Sequence, residues 1–236
     1  MTSAGTIFQR EINAYFLSPI AYVIIAVFTV FSGYFFSIML GITQESTLRY
    51  SLAYTQFILS ILTPVITMRL LAEENKTGTI EPLMTAPVTD FEVVFGKFLA
   101  AWALYNVMIA PTAFYIIFLA WVGSPDYAAI IASYIGLVLM GGLFISIGLL
   151  VSAITKNQIV AAVIGIVALL ILLVIGLASS GGEGWFYNAL RYIGTYDHWD
   201  TFTKGIVDTR DVIYYVSFTA LLIFIVVRIV ESRRWR

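Results

Sequence analysis

The sequence predicts an all-α polytopic membrane protein with six transmembrane helices, and three observations predict it. The 236 residues are 60% hydrophobic and only 11% charged, with a mean hydropathy of +0.93. A water-facing domain is about a quarter charged, so this composition cannot cover such a surface. Six apolar stretches, at about 20–40, 51–68, 98–122, 127–153, 159–178 and 212–227, reach or approach the roughly 20 residues that cross a bilayer as helix. None of these windows holds Asp, Glu, Lys, Arg or His. The runs are too long for barrel strands, and only helices or closed barrels satisfy every backbone group in lipid. Residues 1–236 read as a single membrane domain without a soluble appendage. A net charge of −1 gives no sign of a nucleic-acid partner, and the absence of cysteine excludes disulfides, thiol catalysis and thiolate metal sites.

The N-terminal stretch lacks the basic start and apolar core of a cleaved signal and reads as mature protein. Within it Ile7, Phe8, Ile12, Tyr15 and Phe16 recur at helical spacing, while Arg10, Glu11 and Asn13 fall elsewhere. This predicts an amphipathic helix lying in the membrane interface; a short packed helix would show the same stripe. Ser18–Pro19 then turns the chain into the first span.

Between the second and third spans, residues 72–97 read AEENKTGTIEPLMTAPVTDFEVVFGK and carry Glu73, Glu74, Lys76, Glu81, Asp90, Glu92 and Lys97. Gly78 and Pro87 punctuate the segment. Thr79 is suited to cap a short helical turn through Met84, with Glu81 in its first turn. Thr89 and Glu92 form a capping box for a second helix running past Lys97 into the third span, with Val88 and Val93 as the staple. Leu83, Met84 and Val88 set apolar surface among the acids. Such an elbow suits docking into a partner's groove, although an interhelical turn would share much of the pattern.

Farther along, Asn106, Pro111 and Thr112 predict a kink or polar patch in the third span, or a proline whose surroundings are satisfied locally. Pairs of small residues four apart predict close helix contacts: Ala132 with Gly136, Gly142 with Ser146, and Ala161 with Gly165. In the loop 179–211, Trp185, Ala189, Tyr192, Ile193 and Tyr196 predict a short half-dipped helix. Asp208 is placed to cap the sixth span, with Asp211 three residues on and Val207 and Val212 as a staple. The lone histidine, His198, lies between Asp197 and Asp200 and reads as a surface side chain rather than a metal ligand.

Charge sets the orientation. With the N-terminus on one side, that side holds nine of the Lys and Arg residues and the other four. The richer side is predicted to be cytoplasmic, together with both termini and residues 72–97. The chemistry of an autonomous machine is missing. Ion-coupled carriers place ionisable groups inside their spans, and here the windows hold none. Gly96–Lys97 is not a phosphate loop, because Phe98 stands where Ser or Thr belongs and Phe91 where the first glycine belongs. Backbone carbonyls could still bind sodium, but if the chain does transport work, another subunit must supply the power.

Residues 69–100, RLLAEENKTGTIEPLMTAPVTDFEVVFGKFLA, resemble the signature of type-2 ABC exporter permeases. Arg69, Ala72, Glu73, Glu74, Gly78, Thr79, Glu81, Leu83, Pro87, Val88, Thr89, Gly96 and Lys97 match that pattern; Pro82 departs from its usual leucine-like residue. The loops AITKNQIVA and GIVDTRDVIYY look like the gliding-motility-type subgroup. The resemblance implies a non-catalytic permease in the bacterial inner membrane. It pairs with a second permease, a copy or a paralogue, above two cytoplasmic ABC ATPase subunits. ATP and magnesium would be held by those ATPases, and the permease itself would need no cofactor.

Residues 72–86 would be the coupling helix, with Glu73, Glu74 and Glu81 meeting basic or polar groups on the ATPase and Leu83 and Met84 filling its groove. Gly78 and Thr79 would shape that contact. The N-terminal helix would be the connecting helix, and re-entrant helices in 179–211 would close the outer exit. The alternative is a non-transporting membrane scaffold of an envelope or motility machine coupled to an ATPase.

Overall fold

The computed structural model describes residues 3–43, 47–78, 88–179 and 184–233. Among them eleven α-helices and one 3₁₀ turn account for the ordered backbone, with no strand. Helix α1 is Ser3–Leu17, α2 Pro19–Thr43, α3 Arg49–Thr67 and α4 Ala72–Thr77. Helix α5 is Asp90–Ile109; the 3₁₀ turn Ala110–Thr112 separates it from α6, Ala113–Val122. Then follow α7 Tyr127–Ile154, α8 Gln158–Ser179, α9 Trp185–Ile193, α10 Thr195–Thr203 and α11 Thr209–Arg233. The six helical tracts long and apolar enough to cross a membrane coincide with the six predicted spans. The chain is an all-α polytopic membrane protein.

Local chemistry sets the boundaries. Ser18 separates α1 from α2, its hydroxyl accepting the Ile20 N–H at 3.3 Å, with Pro19 opening the new helix. Thr89 and Glu92 form the expected reciprocal capping box at the start of α5. Asp126 accepts from Ala128 and Ala129 at the start of α7, and Asp208 accepts from Arg210 at the start of α11. Pro111 breaks the third span into α5 and α6. Its surroundings are satisfied locally: the Asn106 amide donates to Trp102 O at 2.6 Å, and the Thr112 hydroxyl reaches Ile109 O at 2.6 Å and the Tyr134 hydroxyl at 2.7 Å.

Helices α3 and α7 form the centre: about two-thirds of the membrane-length stretch of each is buried, against less than a third for α2, α8 and α11. Helix α7 packs on α3, α5, α8 and α11. Glycines allow the closest approaches. A side chain on Gly141 would collide with the Tyr105 ring, and one on Gly148 with Thr67. The predicted small pairs also lie at contacts, but not all between spans. Gly165 faces Pro64 of α3, whereas Gly136 makes room for Phe202 of α10, 2.7 Å from where a Cβ would stand.

The bundle has two ends. The near end carries α1, α4 and the C-terminus of α7. The far end carries α9, α10 and the heads of α7 and α11. At the far end the loop forms two short helices, where the 185–196 stripe alone predicts one and the family resemblance predicts more than one, and they meet at Gly194. That glycine lies so close to Gly176 of α8 that an added Cβ would stand 2.5 Å from the Gly176 Cα. Helix α10 buries Thr195, His198, Trp199, Phe202 and Thr203 and is tied to α3 by Gln56 Nε2 donating to Thr195 Oγ1 at 2.8 Å. His198 is thus not the surface residue expected. It is 4% exposed, and its partner is not Asp197 or Asp200 but Asp211, across the helix break.

Candidate functional site: the near-end junction

Three polar side chains of the 69–97 segment, Glu74, Asn75 and Lys97, meet partners where α1, α4, α5 and α7 come together. Lys97 is the centre. It lies two turns into α5 and is almost wholly buried. Its ammonium donates to Glu74 of α4 at 2.8 Å and to Glu11 of α1 at 3.0 Å. Arg10 closes the cluster from outside, 2.8 Å from Glu11 and 3.5 Å from Glu74. A buried cation needs such partners, because desolvation without them costs several kcal/mol. Burial alone would raise the Glu11 carboxyl, but the Lys97 charge and hydrogen bonds from Arg10 and Lys97 outweigh it and hold the group below the ordinary carboxylate range.

Gly96 explains how α1 gets close enough. A Cβ there would stand 3.0 Å from both the Ala4 carbonyl and the Ile7 side chain. The Gly96–Lys97 pair is therefore a helix-docking device: one residue lets α1 approach and the next anchors it by charge. The α1 stripe faces the protein. Ile7 and Tyr15 are buried, and Phe8, Ile12 and Phe16 pack partly buried against the core. Glu11, which the stripe assigned elsewhere, also points inward. Tyr15 secures the other end of α1 by donating to Ile66 O at 2.9 Å, with the Arg69 guanidinium 4.6 Å above its ring. Burial pushes the Tyr15 hydroxyl well above the ordinary phenol range despite Arg69.

A second joint fastens α4 to α7. The Ser152 hydroxyl accepts the N–H groups of Leu71 and Ala72, each at 3.0 Å, and donates to Met68 O at 3.0 Å. The Asn75 amide reaches Ala153 O and Thr155 O, both at 3.2 Å, where α7 runs out of helical donors. Helix α4 ends at Gly78, whose φ of +72° is the left-handed conformation that favours glycine. Glu73 is exposed, whereas Glu74 is turned into the junction. Its Oε2 is buried without a partner among the described residues. Thr79, Glu81, Leu83 and Met84 lie outside the described residues.

Sequence reasoning missed the inward roles of Glu11, Lys97, Asn75 and Ser152. Only the spacing of Glu74 from Lys97 within one charged segment hinted at any of them. The arrangement joins elements: α4 is bonded at once to α1, to the start of the third span and to the end of the central span.

Residues 13–231 match the family described as "ABC-2 family transporter protein". No curated protein matches the chain.

Proposed function

The chain belongs to the ABC-2 family of transporters, and on that premise we propose that it is the permease subunit of an ABC exporter, driven by two ATPase subunits docked on residues 72–86. Membership makes it a multi-pass transmembrane subunit of a transporter that works with ABC ATPases. In the proposed arrangement the near end and both termini face the cytoplasm of a bacterial cell, and a second permease completes the pore. ATP and magnesium stay on the ATPases, and this chain carries out no catalysis.

The observation that supports this reading most is the double fastening of α4, the described stem of 72–86. Lys97 and Ser152 tie it to α5 and α7, so displacement of the coupling segment is delivered to the third and fourth spans together. A partner can drive such a displacement only through a difference in its affinity for the two states. Glu73, Gly78, Thr79, Glu81, Leu83 and Met84 are the proposed contact residues. Glu74 is proposed to act as an internal strut as well as flanking the contact.

The test is Glu73→Lys with Glu81→Lys in the full chain, followed by copurification with the ATPase that accompanies the unaltered protein. Like charges brought together at an interface cost several kcal/mol, so the ATPase retained should fall roughly tenfold or more while thermal unfolding stays unchanged. Undiminished association refutes docking at this segment. Substrate-dependent stimulation of the associated ATPase separates an exporter from a mechanical scaffold.

A further inference from the structure

At the far end the geometry points to a proton-held latch: we propose that His198 and Asp211 share a proton that pins α9 and α10 to the head of α11, closed in acid and released as pH rises. Both side chains are more than nine-tenths buried. His198 Nε2 lies 3.1 Å from the Tyr192 carbonyl of α9. A carbonyl can only accept, so Nε2 carries a hydrogen. His198 Nδ1 lies 2.6 Å from Asp211 Oδ1. With Nε2 already protonated, a neutral ring presents a bare lone pair at Nδ1, and an ionised carboxylate presents another. That contact holds only if a second proton lies between them, whether formally on the ring or on the acid. The closed arrangement therefore keeps two protons on the pair.

The latch joins three elements. Tyr192 comes from α9, His198 from α10 and Asp211 from the first turn of α11. The imidazole stacks on Tyr214 with centroids 3.9 Å apart, and the Tyr214 hydroxyl donates to Ile193 O at 2.6 Å. The charged surroundings do not replace the proton. From α9, Arg191 pairs with Asp197 of α10 at 3.3 Å. Before and within the first turn of α11, Asp208 caps the Arg210 N–H, and the Arg210 side chain lies over the Tyr192 ring at 5.0 Å. Tyr215 of α11 lies edge-on to His198 at 6.3 Å. Asp200, on the same helix, is engaged by Arg49 of α3 and by Lys204. Helices α7 and α8, on which α9 and α10 rest, contain no charged residue. Beside the pair lies a polar cavity of about 390 Å³ bordered by Arg191, Asp197, Thr201 and Arg210, which gives water and protons a route to the latch.

Releasing the latch parts the two groups, so the proton held between them is no longer shared and the released state binds fewer protons than the closed one. Rising pH therefore favours release, by at most about tenfold per pH unit for a single proton.

The full chain suits the test, since it has one histidine and no cysteine. Purified through a histidine-free tag into lipid nanodiscs and labelled with ¹⁵N-histidine, it reports one imidazole across the pH range. Spin labels on Ala189→Cys of α9 and Ile213→Cys of α11, both exposed, report the distance across the latch. The expected result is a ring with both nitrogens protonated or proton-sharing in acid. The label distance should lengthen at the same pH at which that signature is lost. Asp211→Asn, whose amide can donate to a neutral Nδ1, should make the distance independent of pH. A bare Nδ1 in acid, or a distance that stays constant while the ring deprotonates, overturns the latch. Both are read on chains with Asp211 intact, so the decision stands even where Asp211→Asn fails to fold.

Discussion

Lys97 shows how one side chain can serve two helices. Its ammonium has neutralising carboxylates from α1 and α4 and almost no exposure to water. Replacing it with methionine fills the space but leaves Glu11 and Glu74 facing one another with only Arg10 to balance them. Removing one member of a buried ion group typically costs about 3–5 kcal/mol. Lys97→Met should fall near the low end of that range, since Arg10 remains, and the loss is measurable as reduced unfolding stability in detergent. Acid should loosen the same joint from the other side. The Glu11 carboxyl is held below its ordinary range. Its stabilising contribution is therefore complete above about pH 4.3, the usual value for a glutamate, and disappears as pH falls through the lower folded value. Glu11→Gln should remove that part of the acid dependence.

At the scale of the element, α4 is six residues long and would not persist alone. Ser152 and Asn75 hold it. Ser152→Ala leaves the Leu71 and Ala72 N–H groups buried without their acceptor, which costs about 1–3 kcal/mol. Amide exchange over residues 68–78 should then quicken roughly tenfold or more, with α7 itself unaffected. Equal exchange in both proteins would show that Ser152 does not hold the joint.

Legibility divides along the same line between local and distant. The spans, the Thr89–Glu92 box, the Asp208 cap and the Pro111 interruption could all be read from neighbouring residues. Each depends on hydropathy over some twenty positions or on hydrogen bonds within one turn. The joints could not be read that way. Glu11 is 86 positions from Lys97, and Ser152 is 80 from Ala72. His198 follows the same division. Its sequence neighbours are Asp197 and Asp200, but its partner lies 13 positions on, beyond the break between α10 and α11.

At the scale of the whole molecule, the described spans carry their ionisable groups at the two ends. Lys97, the deepest at the near end, is committed to the junction. The described spans carry no charged relay of the kind that proton-driven carriers use. Reconstituted alone in liposomes, the purified chain should move no solute under a proton or sodium gradient, and gradient-driven uptake would contradict the proposed dependence on ATPases.

Helix α7 adds a consequence. It is continuous over 28 residues, roughly 42 Å at the α-helical rise. It is gripped along much of its length: Gly136 admits Phe202, Gly141 admits Tyr105 and Gly148 admits Thr67, with the joint at Ser152 close to its C-terminal end. A rod clasped at several heights does not pivot about one of them but shifts together with its neighbours, so a push received at Ser152 would be felt by α3, α5 and α10 alike.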